Sequence, residues 1–228
     1  MRQPAISCQF VPVTRHADGE EMSRTLGALA CAMAIATASA AAQPVGRPVA
    51  LVLIPGAGGL HPQDFLVASQ PIFRAAGLAS EMTTSAYQAA SWVSDFKARG
   101  YRVTLVGMSL GAATAAQALA AGAQPDGVVF AAGGLLPPGT PNGSVIEALG
   151  SPARLPQTMV LHHRQDQCHL TPPEAVPAFV SWSRGRARAV WMTGGGGFGP
   201  PCRPNTAHTF AGRTEAAAGA IIRFARGR

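Results

Sequence analysis

The stretch Arg102-Val-Thr-Leu-Val-Gly107-Met108-Ser109-Leu110-Gly111 decides how this chain folds. Its first five residues are β-rich, with Val103, Leu105 and Val106 apolar, and the Ala-rich run Leu110 to Ala121 that follows reads as a helix ending at Gly122. A serine between two glycines at a strand-to-helix turn lies at the C-terminal edge of a parallel sheet, with helix N–H groups beside it. Gly107 and Gly111 give such a turn room for a sharp bend and for close approach of strand and helix. The bare Gly-x-Ser-x-Gly pentapeptide also fits a glycine-rich turn with a capping serine, so its meaning depends on what surrounds it.

Outward from that turn, strands and helices alternate. Val49 to Ile54 is a continuous apolar run, the pattern of a strand buried on both faces. A helix is expected over Phe65 to Ala76, a weaker strand over Ala79 to Thr84, and a helix over Tyr87 to Arg99 closed by Gly100. Val128 to Ala131, Thr158 to His162 and Ala189 to Thr193 read as further strands, and Arg213 to Phe224 as the last helix. The Pro- and Gly-rich stretch Gly133 to Pro156 is the longest irregular connection, with a short helix expected at Ser144 to Leu149. The alternation predicts an α/β fold: a doubly wound, mostly parallel sheet of about six strands flanked by helices.

A serine nucleophile needs a base to take its proton and an acid to orient that base. Asp166 follows the strand Thr158 to His162 by a short loop, and His208 lies between the strand Ala189 to Thr193 and the final helix. Asp64 and Asp95 precede the serine, and Asp126 sits just before its strand rather than after it. The order Ser109, Asp166, His208 therefore places nucleophile, acid and base each in a connection that follows a different strand. Oxyanion donors are expected from the N–H of Leu110 and from the loop Gly56-Ala57-Gly58-Gly59, with Ala57 the candidate.

The beginning of the chain reads differently. Residues 22–42 have the layout of a secretory signal peptide: Arg24, the apolar stretch Leu26 to Thr37, and small-residue cleavage sites at Ala38-Ser39-Ala40 or Ala40-Ala41-Ala42. A buried Ala-rich helix is the other reading, while Ala28 in the usual leucine position weighs against a lipoprotein at Cys31. Residues 1–21 are read as an extension from a misassigned start, leaving 43–228 as the folded domain. The apolar stretch is too short for a permanent membrane anchor. Cys168 and Cys202 would then be the only cysteines after the leader, and in an oxidising compartment one disulfide between them is expected. Such a bridge would tie the Asp166 loop to the His208 loop.

These residues together resemble the α/β-hydrolase superfamily, especially small secreted bacterial esterases and dienelactone-hydrolase-like members. The resemblance rests on His162-His163-Arg164-Gln165-Asp166-Gln167-Cys168 and on Cys202 to His208, beside the serine motif, and it spans the chain after the leader. It implies a minimal version of that fold without a substantial lid, and acyl transfer on a small-molecule ester, thioester, lactone or amide through Ser109, His208 and Asp166. No cofactor and no metal are implied. Pro55-Gly56 stands where His-Gly is common, which leaves the second oxyanion donor open.

The same residues allow other readings. The net charge of +7 comes from arginines scattered along the chain, with Lys97 the single lysine, so a nucleic-acid partner is not expected. Gly56-Ala57-Gly58-Gly59-Leu60-His61 with Glu81 resembles a dinucleotide fingerprint, but His61 replaces its third glycine. His162, His163, Asp166 and His169 could suggest a metal, but neighbouring residues of a strand face opposite ways, so at most one of the first two joins Asp166. The remaining alternative is a catalytically inactive binding protein of the same fold.

Overall fold

The computed structural model describes residues 46–228. The expected leader and the residues before it lie outside the described residues. Six strands carry the domain: β1 (Val49–Ile54), β2 (Ala79–Met82), β3 (Arg102–Met108), β4 (Gly127–Ala131), β5 (Gln157–His163) and β6 (Ala187–Met192). They form one sheet in the order β2-β1-β3-β4-β5-β6, and every neighbouring pair is parallel. The helices between them are α1 (Phe65–Ala75), α2 (Ala86–Ala98), α3 (Leu110–Ala120), α4 (Val145–Leu149), α5 (Ala175–Trp182) and α6 (Thr214–Ala225).

Both faces of the sheet are covered, which explains the unbroken apolar runs. Because strand side chains alternate, Ala50, Val52 and Ile54 of β1 enter the layer that contains α2, α3, α4 and α5. Leu51 and Leu53 enter the opposite layer, against Phe65, Leu66 and Phe73 of α1 and Ile221 and Phe224 of α6. Reversal of strand order at β1 and β3 places their C-terminal ends side by side in the middle of the sheet, where such folds carry their sites.

Several boundaries differ from the sequence reading. The strand β2 stops at Met82 rather than Thr84, β3 runs on to Met108, and β6 begins at Ala187 rather than Ala189. The helix α5 was not anticipated, because Pro172, Pro173 and Pro177 crowd its start. Pro177 is its third residue, where the missing N–H costs no intrahelical bond. The connection Gly133 to Pro156 folds against α3: Asn142 Nδ2 donates to Thr114 Oγ1 at 3.2 Å and Val145 N to Gly134 O at 2.9 Å. A capping box of Ser144 and Glu147 starts α4 within it. Among the described residues, no helix is long and apolar enough to cross a membrane.

Candidate active site

Ser109 directly follows β3 and caps α3 with φ 51° and ψ −116°, a backbone region that a non-glycine residue occupies only under strain. Its N–H donates to Ala131 O at 2.8 Å and its C=O accepts from Ala112 N at 3.0 Å, so both neighbouring elements hold the strained turn. The two glycines are there for space. A β-carbon on Gly111 would overlap the carbonyl oxygens of Ile54 and Pro55, and one on Gly107 would overlap the backbone of Gly111 and Ala112.

The side chain of Ser109 meets His208, with Oγ 3.0 Å from Nε2. On the far side of the ring, Nδ1 lies 2.9 Å from Asp166 Oδ2. With a proton on Nδ1 donated to the carboxylate, Nε2 is left to accept the serine proton. His208 and Asp166 are both buried. Asp166 Oδ1 accepts the Cys168 N–H at 2.9 Å, which fixes the carboxylate from behind. Thr171, fully buried, adds a hydroxyl 3.4 Å from Asp166 Oδ2 and 3.2 Å from His208 Nδ1.

His208 sits in a 3₁₀ turn, Ala207–Thr209, rather than on a helix or strand. The turn is anchored by Phe210, which takes a left-handed conformation and packs its buried ring edge-on against Phe65 at 4.9 Å. A disulfide joins Cys168 to Cys202 across 34 residues, linking the acid loop to the loop that leads into the histidine. That second loop is Gly-rich from Gly194 to Gly199 and carries Phe198 fully exposed.

Ser109 opens into a cleft of about 320 Å³ lined by Gly56, Ala57, Gly58 and Asp64 on one side and Arg203, Pro204 and His208 on the other. None of the lining residues comes from the connection 133–156. Ala57 thus faces the same space as Ser109, and Leu110 opens α3 directly after the serine. Among the described residues, neither the Ala57 nor the Leu110 N–H has a backbone acceptor. The glycine loop does not open onto a helix as a dinucleotide site requires. Asp64 instead caps α1, setting a carboxylate at the helix N-terminus that a pyrophosphate would need.

Of the histidine cluster, His162 turns toward the acid, with Nε2 3.9 Å from Asp166 Oδ2, whereas His163 Nε2 lies 3.0 Å from Gly194 O. Among the described residues, no group of three or more His, Cys, Asp or Glu side chains could hold a metal ion. Burial pushes the His162 imidazole down from its ordinary value of 6.5, outweighing the attraction of the Asp166 carboxylate, so the ring stays neutral. Burial likewise pushes the Asp64 carboxyl up, against the opposing pull of the Gly56 and Leu66 N–H groups. Neither Thr171 nor Asp64 is picked out by the sequence: Thr171 belongs to no motif, and Asp64 lies before the serine in the chain.

No protein-family model and no curated protein matches the sequence. The fold does match solved structures. The esterase domain of a Rhodothermus marinus protein is similar over 81% of this chain and 89% of its own, with 12% identity and a TM-score of 0.57. An esterase from Exiguobacterium antarcticum matches over 80% and 93%, with 11% identity and a TM-score of 0.53. An alpha-beta serine hydrolase homologue from Coxiella burnetii matches over 80% and 88%, with 15% identity and a TM-score of 0.52. With its all-parallel six-stranded sheet, its helices on both faces and these structural neighbours, the chain has the fold of the α/β-hydrolase superfamily.

Proposed function

We propose that this protein is an exported serine hydrolase that cleaves a carboxylic ester or a related acyl bond through an acyl-enzyme. The observation that carries this reading is the unbroken relay from Ser109 Oγ through His208 to Asp166, at 3.0 and 2.9 Å. His208 takes the serine proton as Oγ attacks the substrate carbonyl, and Asp166 steadies the imidazolium that forms. The tetrahedral oxygen accepts from the Leu110 and Ala57 N–H groups. On collapse, His208 returns the proton to the leaving group; water, activated by the same imidazole, then releases the acid. The chemistry requires no cofactor, and the partner is a small acyl substrate.

Export rests on the signal-peptide layout of residues 22–42 and is supported by the Cys168–Cys202 bridge, which suits an oxidising compartment. Cleavage after Ala42 then leaves residues 43–228 as the mature domain. N-terminal sequencing of the secreted protein checks this: a product that begins at Gln43 supports it, and one that retains residues 22–42 refutes it.

A fluorophosphonate probe tests the catalytic assignment: the purified protein labels at Ser109. Hydrolysis of p-nitrophenyl esters by Ser109→Ala falls on the order of 10⁶-fold. A binding protein of the same fold takes up no label, and undiminished turnover in Ser109→Ala refutes the assignment.

A further inference from the structure

Asp64 is a buried carboxylate in the wall of the Ser109 cleft that the relay above does not use. Its two oxygens do separate things. Oδ1 accepts the Leu66 N–H at 2.8 Å and so caps α1, while Oδ2 accepts the Gly56 N–H at 2.8 Å, eight residues back along the chain. Gly56 is gripped at its other end as well, because its carbonyl accepts the Gly59 N–H at 3.0 Å. In a planar trans peptide the N–H points opposite to the C=O. Holding the Gly56 carbonyl toward Gly59 therefore sets the direction of the next donor, the Ala57 N–H. A β-carbon on Gly56 would lie 3.3 Å from both Asp64 Oδ2 and the Ser109 β-carbon, so carboxylate, loop and nucleophile meet at this one peptide.

We propose that Asp64 is a positioning residue for the oxyanion loop, fixing Gly56 so that the Ala57 N–H is aimed at the oxygen developing on the substrate. This rests on the hydrolase reading given above. Donors of this kind accelerate only when they are already in place, because they must meet charge that exists in the transition state and not in the bound substrate. Loosening the loop therefore lowers kcat and leaves KM nearly untouched.

A purely structural role, capping α1, is separable from this one. Serine caps a helix as well as aspartate does, and glycine nearly as well. Neither has a side chain long enough to serve Leu66 and Gly56 together. In Asp64→Ser, and in Asp64→Gly should serine not fold, kcat on p-nitrophenyl acetate is expected to fall about 10- to 100-fold with KM within about twofold, below the loss caused by deleting a donor outright. The thermal midpoint stays close to wild type. Asp64→Asn keeps the side-chain length but has a single acceptor oxygen, so it serves Leu66 or Gly56 and not both, and its kcat also stays below the wild-type value. Wild-type kcat in a folded Ser or Gly variant, or a loss confined to KM, overturns the proposal. Ser109→Ala is assayed in parallel: if it stays active, the hydrolase reading fails and this one with it. If it is dead while Asp64→Ser turns over at the wild-type rate, only the role of Asp64 fails.

Discussion

The hydroxyl of Thr171 touches both members of the acid–base pair, 3.4 Å from Asp166 Oδ2 and 3.2 Å from His208 Nδ1. Thr171→Val keeps the shape but leaves the carboxylate one donor short. It is expected to lower kcat several-fold, roughly the effect of a net hydrogen bond of about 1 kcal/mol, and steady-state kinetics on a p-nitrophenyl ester checks it. His162 acts through stability instead. Its imidazole is neutral in the fold and pushed below 6.5 by burial, whereas in the unfolded chain it protonates near that value. The unfolded state thus binds more protons as pH falls through 6.5, and the stability present above that value is lost on acidification. The thermal midpoint should drop between about pH 7.5 and about pH 5, and less steeply in His162→Gln. An equal slope in that variant rules out His162 as the source. The meeting of Ser109, Asp166 and His208 was legible in the sequence because chain order and strand ends constrain it. Thr171 and Asp64 were not: the first depends on which carboxylate oxygen its hydroxyl meets, the second on two N–H groups that the loop fold brings to it, and no periodicity encodes either.

Among the elements, β1, β3 and α3 are locked together by the absence of side chains at two positions. Gly111→Ala would push a methyl group into the carbonyls of Ile54 and Pro55, both backbone and unable to yield cheaply. The expected cost is about 3 kcal/mol, read as a lower midpoint than wild type in urea unfolding. Asp126, dismissed as an acid for the triad, instead joins β3 to β4: its N–H donates to Val103 O at 2.8 Å and its Oδ2 accepts the Val103 N–H at 2.8 Å. Lys97 of α2 reaches the other oxygen at 2.9 Å. Burial alone would raise this carboxyl, but the hydrogen bonds from Lys97 and Val103 and the charges of Lys97 and Arg47 outweigh it and hold it below 3.8. That stability is present above the ordinary value and is lost as pH falls through the depressed one. Asp126→Asn should cost about 1 kcal/mol in urea unfolding at neutral pH, and the gap to wild type should close below 3.8. The strands of the core were legible because burial on both faces writes a continuous apolar run. The helix α5 was hidden because its prolines, which usually end helices, here fall before and within the first turn, where they are tolerated.

Taken whole, the molecule draws its site from loops after β1, β3, β5 and β6, and only one of the connections between those loops is covalent outside the backbone. In the chain-entropy account a bridge across 34 residues stabilises by about 3–4 kcal/mol. Dithiothreitol is therefore expected to lower the thermal midpoint by about 10 °C for a domain of this size, and to reduce turnover as the His208 loop loosens. Free thiols in mass spectra of the untreated protein would refute that prediction. That Cys168 and Cys202 are the only cysteines after the expected leader allowed the bridge to be anticipated; the Phe210 ring packed on Phe65 beside the 3₁₀ turn of the histidine could not be, since it depends on a contact with α1. The same bridge closes residues 168–202 into a covalent ring, and the most exposed aromatic residue of the described chain, Phe198, lies within it. A chymotrypsin cut after Phe198 would open that ring without releasing either piece. The polypeptide carrying His208 would remain tethered to the one carrying Ser109 and Asp166, migrating as a single species until the sulfur–sulfur link is reduced.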